Sequence, residues 1–126
     1  MTYRELYEKA QDMVNKAYAP FSKFKVGAAL LSKDGRVFTG VNVENSSLGG
    51  TICAERTAFV KAISEGAREF QAIAVVSGEG AVWPCGICRQ FMKEFRDDEF
   101  KIITGDNADS LDIMTMNEIL PKGFRL

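Results

Sequence analysis

Cys53-Ala54-Glu55-Arg56 and, downstream, Pro84-Cys85-Gly86-Ile87-Cys88-Arg89-Gln90 hold every cysteine of this chain. Three thiols cannot close a four-coordinate structural zinc site. They can hold one zinc ion and leave a position open for water. Cys85 and Cys88 are spaced by one helical turn, so a helix opening at Cys85 carries both sulfurs on one face. Cys53 opens another helix, apolar on most sides, which belongs against a sheet. Two helix starts then converge, and their dipoles favour thiolates there. Glu55, two residues past the first thiol, is placed to move protons at the metal's water. Arg56, one turn past Cys53, can donate to the thiolates and offset the surplus negative charge of three of them on one zinc ion.

A lone Cys-x-x-Cys is shared by redox motifs and incidental pairs. Pro-Cys-x-x-Cys preceded by Cys-x-Glu is more specific: zinc deaminases of nucleobases use such ligands with a glutamate as proton shuttle. The chain has no histidine, which excludes Ser-His-Asp and Cys-His catalysis and any imidazole zinc ligand. Two other readings stay open. One is a non-catalytic zinc module whose fourth position is closed by a partner. The other is a thiol redox protein built on Cys85 and Cys88.

The 126 residues suit one domain spanning 1–126. Sixteen basic and 17 acidic residues leave a net charge of -1. No strong field is available to capture nucleic acid or an anionic membrane, so neither is an expected partner. No apolar run approaches the ~20 residues of a membrane span. The N-terminus lacks the apolar stretch of a secretion signal, and the odd cysteine count argues against a disulfide framework. A cytoplasmic protein is expected.

From Thr2 to about Ala17 apolar residues recur at helical spacing, with Thr2 and Glu5 forming a capping box. Val26–Ser32 and Val37–Val43 read as a hairpin around Lys33-Asp34-Gly35-Arg36. The helix from Cys53 runs to about Ser64, with Gly66 as breaker. Ala72–Val76 reads as a central strand covered on both faces. A helix from about Cys85 to Phe95, strands at Lys101–Thr104 and Ser110–Met114, and a helical turn at Asn117–Leu120 complete the order. The expected fold is α/β, three layers α/β/α, around a mixed five-stranded sheet.

Thr51-Ile52-Cys53-Ala54-Glu55-Arg56-Thr57-Ala58 and Pro84 to Gln90 closely resemble the small, homotetrameric, zinc-dependent cytidine deaminases. The likeness continues in Tyr18-Ala19-Pro20-Phe21-Ser22-Lys23-Phe24-Lys25-Val26-Gly27, in Gly40-Val41-Asn42-Val43-Glu44-Asn45 and in Ile119-Leu120-Pro121-Lys122-Gly123-Phe124. The resemblance implies one Zn2+ per chain on Cys53, Cys85 and Cys88, with Glu55 as the catalytic proton carrier and Arg56 supporting the thiolates. It implies that Phe24 packs on the pyrimidine, Asn42 and Glu44 bind the ribose hydroxyls, and Ala54 gives the base backbone contacts. Phe124 would reach a neighbouring subunit's active site in a homotetramer. The implied reaction is deamination of cytidine and deoxycytidine to uridine and deoxyuridine in pyrimidine salvage. A blasticidin-S-like deaminase of aminonucleoside antibiotics, sharing the zinc pattern, is the alternative. Leu48 stands where the family usually has an aromatic residue, and Trp83 where it more often has serine.

Overall fold

The computed structural model describes residues 1–95 and 98–126. Helix α1 (Tyr3–Met13) starts where Thr2 Oγ1 accepts from Glu5 N at 3.1 Å and the Glu5 carboxylate accepts from Thr2 N at 3.3 Å. This is the expected reciprocal cap. The helix ends at Met13 and tightens into a 3-10 turn over Val14–Lys16. Strands β1 (Val26–Ser32) and β2 (Val37–Val41) form the expected hairpin. Strand β2 stops two residues early because the Asn42 side chain turns inward to bond the backbone of Phe24 and Val26.

Helix α2 (Ala54–Ser64) takes Cys53 as its N-cap and ends before Gly66, whose φ of +95° a side chain would resist. Strand β3 (Phe70–Ser77) is longer than its apolar run because Phe70 and Ser77 also pair with β1. Then come β4 (Gly80–Ala81), α3 (Gly86–Lys93, N-cap Cys85), β5 (Lys101–Asn107), β6 (Ser110–Thr115) and α4 (Met116–Ile119).

The sheet runs in the order β2-β1-β3-β5-β6. Among the described strands only the β3–β5 pair is parallel, as a strand–helix–strand crossover through α3 requires. The five-stranded mixed sheet is therefore the one read from the sequence. The two-residue β4 adds a sixth strand among the described residues, paired to β3 outside that row.

Alternate residues of the central strands face opposite layers. On one face Leu6, Tyr7, Ala10 and Val14 pack over Ala29, Leu31, Ala74 and Ile103. On the other, α2 lays Ala54, Ala58, Phe59 and Ala62 over Ala28, Leu30, Ile73 and Val75. Phe59 sits in an aromatic cluster, edge-on to Phe70 at 5.0 Å and stacked on Phe95 at 5.6 Å. Helix α2 is thereby fixed at mid-length, and its N-terminus comes to one end of the sheet.

Gly40 lets α2 come this close. A Cβ there would meet the Ala54 carbonyl and lie 2.6 Å from Ala58 N. Gly40→Ala is expected to push α2 off β2 and destabilise the fold by about 1–3 kcal/mol. Because Cys53 and Glu55 ride on that helix end, zinc affinity should fall too. Urea denaturation and a chelator competition read the two effects. Unchanged values in both would show that α2 does not depend on this contact.

Candidate active site

Cys53 and Cys85 are the N-caps of α2 and α3, and Cys88 lies one turn into α3. The starts of the two helices bring the three sulfurs together as the spacing predicts. All three lie within 4.8 Å of one another, and Cys53 Sγ and Cys85 Sγ are 3.8 Å apart. Tetrahedral ligands about 2.3 Å from one zinc ion stand about 3.8 Å apart, so this donor set fits zinc. Cys85 is exposed, Cys53 half-buried and Cys88 fully buried.

Arg56 Nη2 donates to Cys53 Sγ at 3.3 Å, and its Nε is buried with no hydrogen-bond partner. The Cys53 thiol is pulled down to about 5, first by a hydrogen bond from Cys88 and then, against the opposing desolvation, by bonds from Arg56 and Cys85 and the Arg56 charge. Cys88 is pushed up by its hydrogen bond to Cys53 and by burial, so one proton is shared toward Cys88.

Glu55 is 4% exposed, and burial pushes its carboxyl up to about 7, with the Cys53 charge adding to the rise. A carboxyl near neutrality can both take and give a proton.

The thiols open onto a cleft of about 330 Å³. Cys53, Cys85 and Glu55 are among its lining residues. Val26, Val75, Val82, Trp83 and Phe24 line its apolar walls, and Ser22, Asn42 and Glu44 also border it. Ala54 lies there too, buried. Of the residues expected at the site, only Arg56, Cys88 and Phe124 do not line the cleft. Arg56 reaches the sulfur of Cys53, and Cys88 is the buried third thiol. Phe124 is 64% exposed beside α3, its carbonyl accepting from Gln90 Nε2 at 3.0 Å.

Asn42 and Glu44 carry a second duty that their spacing did not reveal. Asn42 Oδ1 accepts from Val26 N at 2.9 Å, and its Nδ2 donates to Phe24 O at 2.8 Å. Glu44 accepts from Phe21 N at 2.9 Å, from Ser22 N at 3.1 Å and from the Ser22 hydroxyl. The Ser22 hydroxyl is the first reason that the Glu44 carboxyl lies below the usual range. Together they hold the loop that carries Phe24.

Sequence reasoning also passed over Arg89. Its Nε donates to Pro84 O and its Nη1 to Ile119 O, both at 2.7 Å. It fixes the turn before Cys85 to the end of α4. Its position one turn after Cys85 was the available signal.

Residues 1–104 match the family described as cytidine and deoxycytidylate deaminase zinc-binding region. The chain is 43% identical to a cytidine deaminase of Sporosarcina psychrophila, covering 98% of this chain and 92% of that protein. It is 50% identical to a cytidine deaminase of Halalkalibacterium halodurans over 86% of this chain and 83% of that protein. Among solved structures, cytidine deaminase from Burkholderia pseudomallei superposes with a TM-score of 0.91 at 45% identity, covering 98% of this chain and all of that one. Cytidine deaminase from Mycobacterium tuberculosis gives a TM-score of 0.87 at 38% identity, with 100% and 99% covered.

Proposed function

The chain belongs to the cytidine and deoxycytidylate deaminase zinc-binding family, and from that premise we propose that it hydrolyses cytidine and deoxycytidine to uridine and deoxyuridine with release of ammonia. The observation that carries this reading is a zinc-compatible cluster of three thiols, two of which line one cleft with a buried glutamate and a largely apolar wall.

Cys53, Cys85 and Cys88 would hold the zinc ion, which would supply a Lewis acid able to bring the pKa of water toward neutrality. Arg56 holds Cys53 as thiolate and offsets the charge of the ligand set. Glu55 takes the proton of the attacking water and delivers it to ring nitrogen N3. Once the water oxygen is bonded to C4, Glu55 takes its remaining proton and passes it to the amine, which leaves as ammonia as the C4–N bond breaks and the C4–O bond becomes a carbonyl. The burial of Glu55 beside the thiols, which raises the carboxyl from the ordinary carboxylate range in the metal-free protein, keeps a proton within reach of both transfers.

Phe24 packs on the ring face, and Ala54 offers its backbone to the base. Asn42 and Glu44 meet the sugar hydroxyls. A carboxylate has about four lone-pair sites. Three donors already occupy Glu44, which leaves room for one hydroxyl. Asn42 keeps one N–H free after its bond to Phe24 O. The diol therefore meets groups already rigid before binding.

The reading extends to a single catalytic domain over residues 1–126, acting in the cytoplasm in pyrimidine salvage. It extends also to a homotetramer in which Phe124 completes a neighbour's cleft. The exposure of Phe124, Ile87 and Leu48 supports such an assembly.

The test is the ultraviolet spectrum of cytidine incubated with the zinc-replete protein, with ammonia assayed in parallel. Conversion to the uridine spectrum with one ammonia per nucleoside is expected. No change with one zinc per chain bound would overturn the substrate, and turnover of blasticidin S alone would replace it.

A further inference from the structure

Trp83 is the chain's single tryptophan, and it lines the cleft immediately before Pro84-Cys85. The segment around it is pinned at each step. Ala81 N donates to Asp106 Oδ1 at 3.1 Å and Val82 N to the fully buried Thr104 Oγ1 at 2.9 Å. Pro84 is buried, and its carbonyl is held by Arg89 Nε at 2.7 Å. Trp83 itself packs against the core cluster that includes Phe59 and Met92. With its backbone pinned on both sides and its ring packed on the core, Trp83 has little room to yield to a larger ligand, and a wall of that kind turns an added atom into a clash.

The chemistry of a pyrimidine indicates what this wall meets. O2 and N3 are polar, N1 carries the sugar, C4 carries the amine, and only C5 and C6 present bare carbon. With C4 at Cys53, Cys85 and Glu55, and the sugar at Asn42 and Glu44, the C5–C6 edge remains for an apolar wall. Val75, Val82 and Trp83 supply one, and Trp83 stands nearest in the chain to the thiol turn. We propose that Trp83 is a specificity-determining residue that restricts the cleft to cytosine nucleosides without a substituent at C5. The inference rests on the nucleoside-deaminase reading above.

The experiment compares kcat/KM for cytidine and 5-methylcytidine in the zinc-replete wild type, Trp83→Ser and Trp83→Phe. One methyl group against a rigid pocket changes selectivity by about 10–200-fold. The wild type should therefore prefer cytidine by at least about tenfold, and Trp83→Ser should erase most of that preference. Trp83→Phe, which keeps an aromatic ring but shortens the wall, should fall between, and it decides the matter if the serine variant does not fold. A merely structural role would lower both substrates together and leave their ratio unchanged, which would overturn the proposal. Calorimetric Kd values for uridine and 5-methyluridine give the same ratio without turnover. A Trp83-dependent binding ratio in a protein that does not deaminate cytidine would support this inference while the proposed function failed. No binding of either nucleoside would overturn it.

Discussion

Glu55→Gln is expected to lower kcat for cytidine by at least about 10³-fold while leaving one zinc per chain and the fold intact. Glutamine matches the shape of the carboxyl but can neither accept the water proton nor return it. A general acid–base group contributes about 10²–10⁴-fold, and in the proposed mechanism the same atoms serve two transfers. The surroundings of Glu55 make the stability half of the expectation equally definite. The residue is 4% exposed and burial raises its carboxyl to about 7. A carboxyl raised above its unfolded value binds more protons folded than unfolded between about 4.5 and 7. Stability from this group is therefore present below that window and lost as pH rises through it. A neutral amide avoids the loss, so the metal-free variant should melt no lower than the metal-free wild type at pH 8. Inactivity with a lowered melting temperature at that pH would point to damage to the fold. Near-normal turnover would remove Glu55 from the chemistry.

The thiols, Glu55 and both site helices were legible because their chemistry is local. Cys85 and Cys88 share a helical face by spacing alone, and Thr2 with Glu5 encodes its own cap. The central strand β3 announced itself by an apolar run covered on both faces. What escaped depends on partners far along the chain. Strand β4 is two residues whose ladder is completed by the side chains of Asp106 and Thr104. No propensity in Gly80-Ala81 contains that. Asn42 and Glu44 alternate like groups aimed at a ligand, and both do border the cleft, yet their own loop already takes most of their bonding capacity. Trp83 read as a departure from a family pattern, and only the cleft gives it a neighbourhood.

Cys88→Ala should abolish zinc retention more completely than any change outside the ligand set. Removing a group that merely supports a ligand costs about 10–100-fold in metal affinity, and removing a ligand costs more. With two sulfurs left, zinc per chain after dialysis should fall from one to near zero, and cytidine turnover to background. Stability should follow by mass action. Free zinc at about 1,000 times Kd contributes about 4 kcal/mol, and nearly all of it disappears with the site. A further loss comes from Arg56. Its charge is held by bonds to Cys53 and Cys88, and its buried Nε already lacks a partner. Taking away the Cys88 sulfur strands more of the guanidinium in a dry setting, which costs about 1–3 kcal/mol or more for a charged group. The two losses separate in a second variant. Adding Arg56→Met to Cys88→Ala should restore part of the melting temperature and none of the zinc. If Cys88→Ala alone keeps one zinc per chain through dialysis, the three-thiol site is wrong. If the double variant melts no higher than the single one, the stranded cation is not what the fold pays when Cys88 is lost.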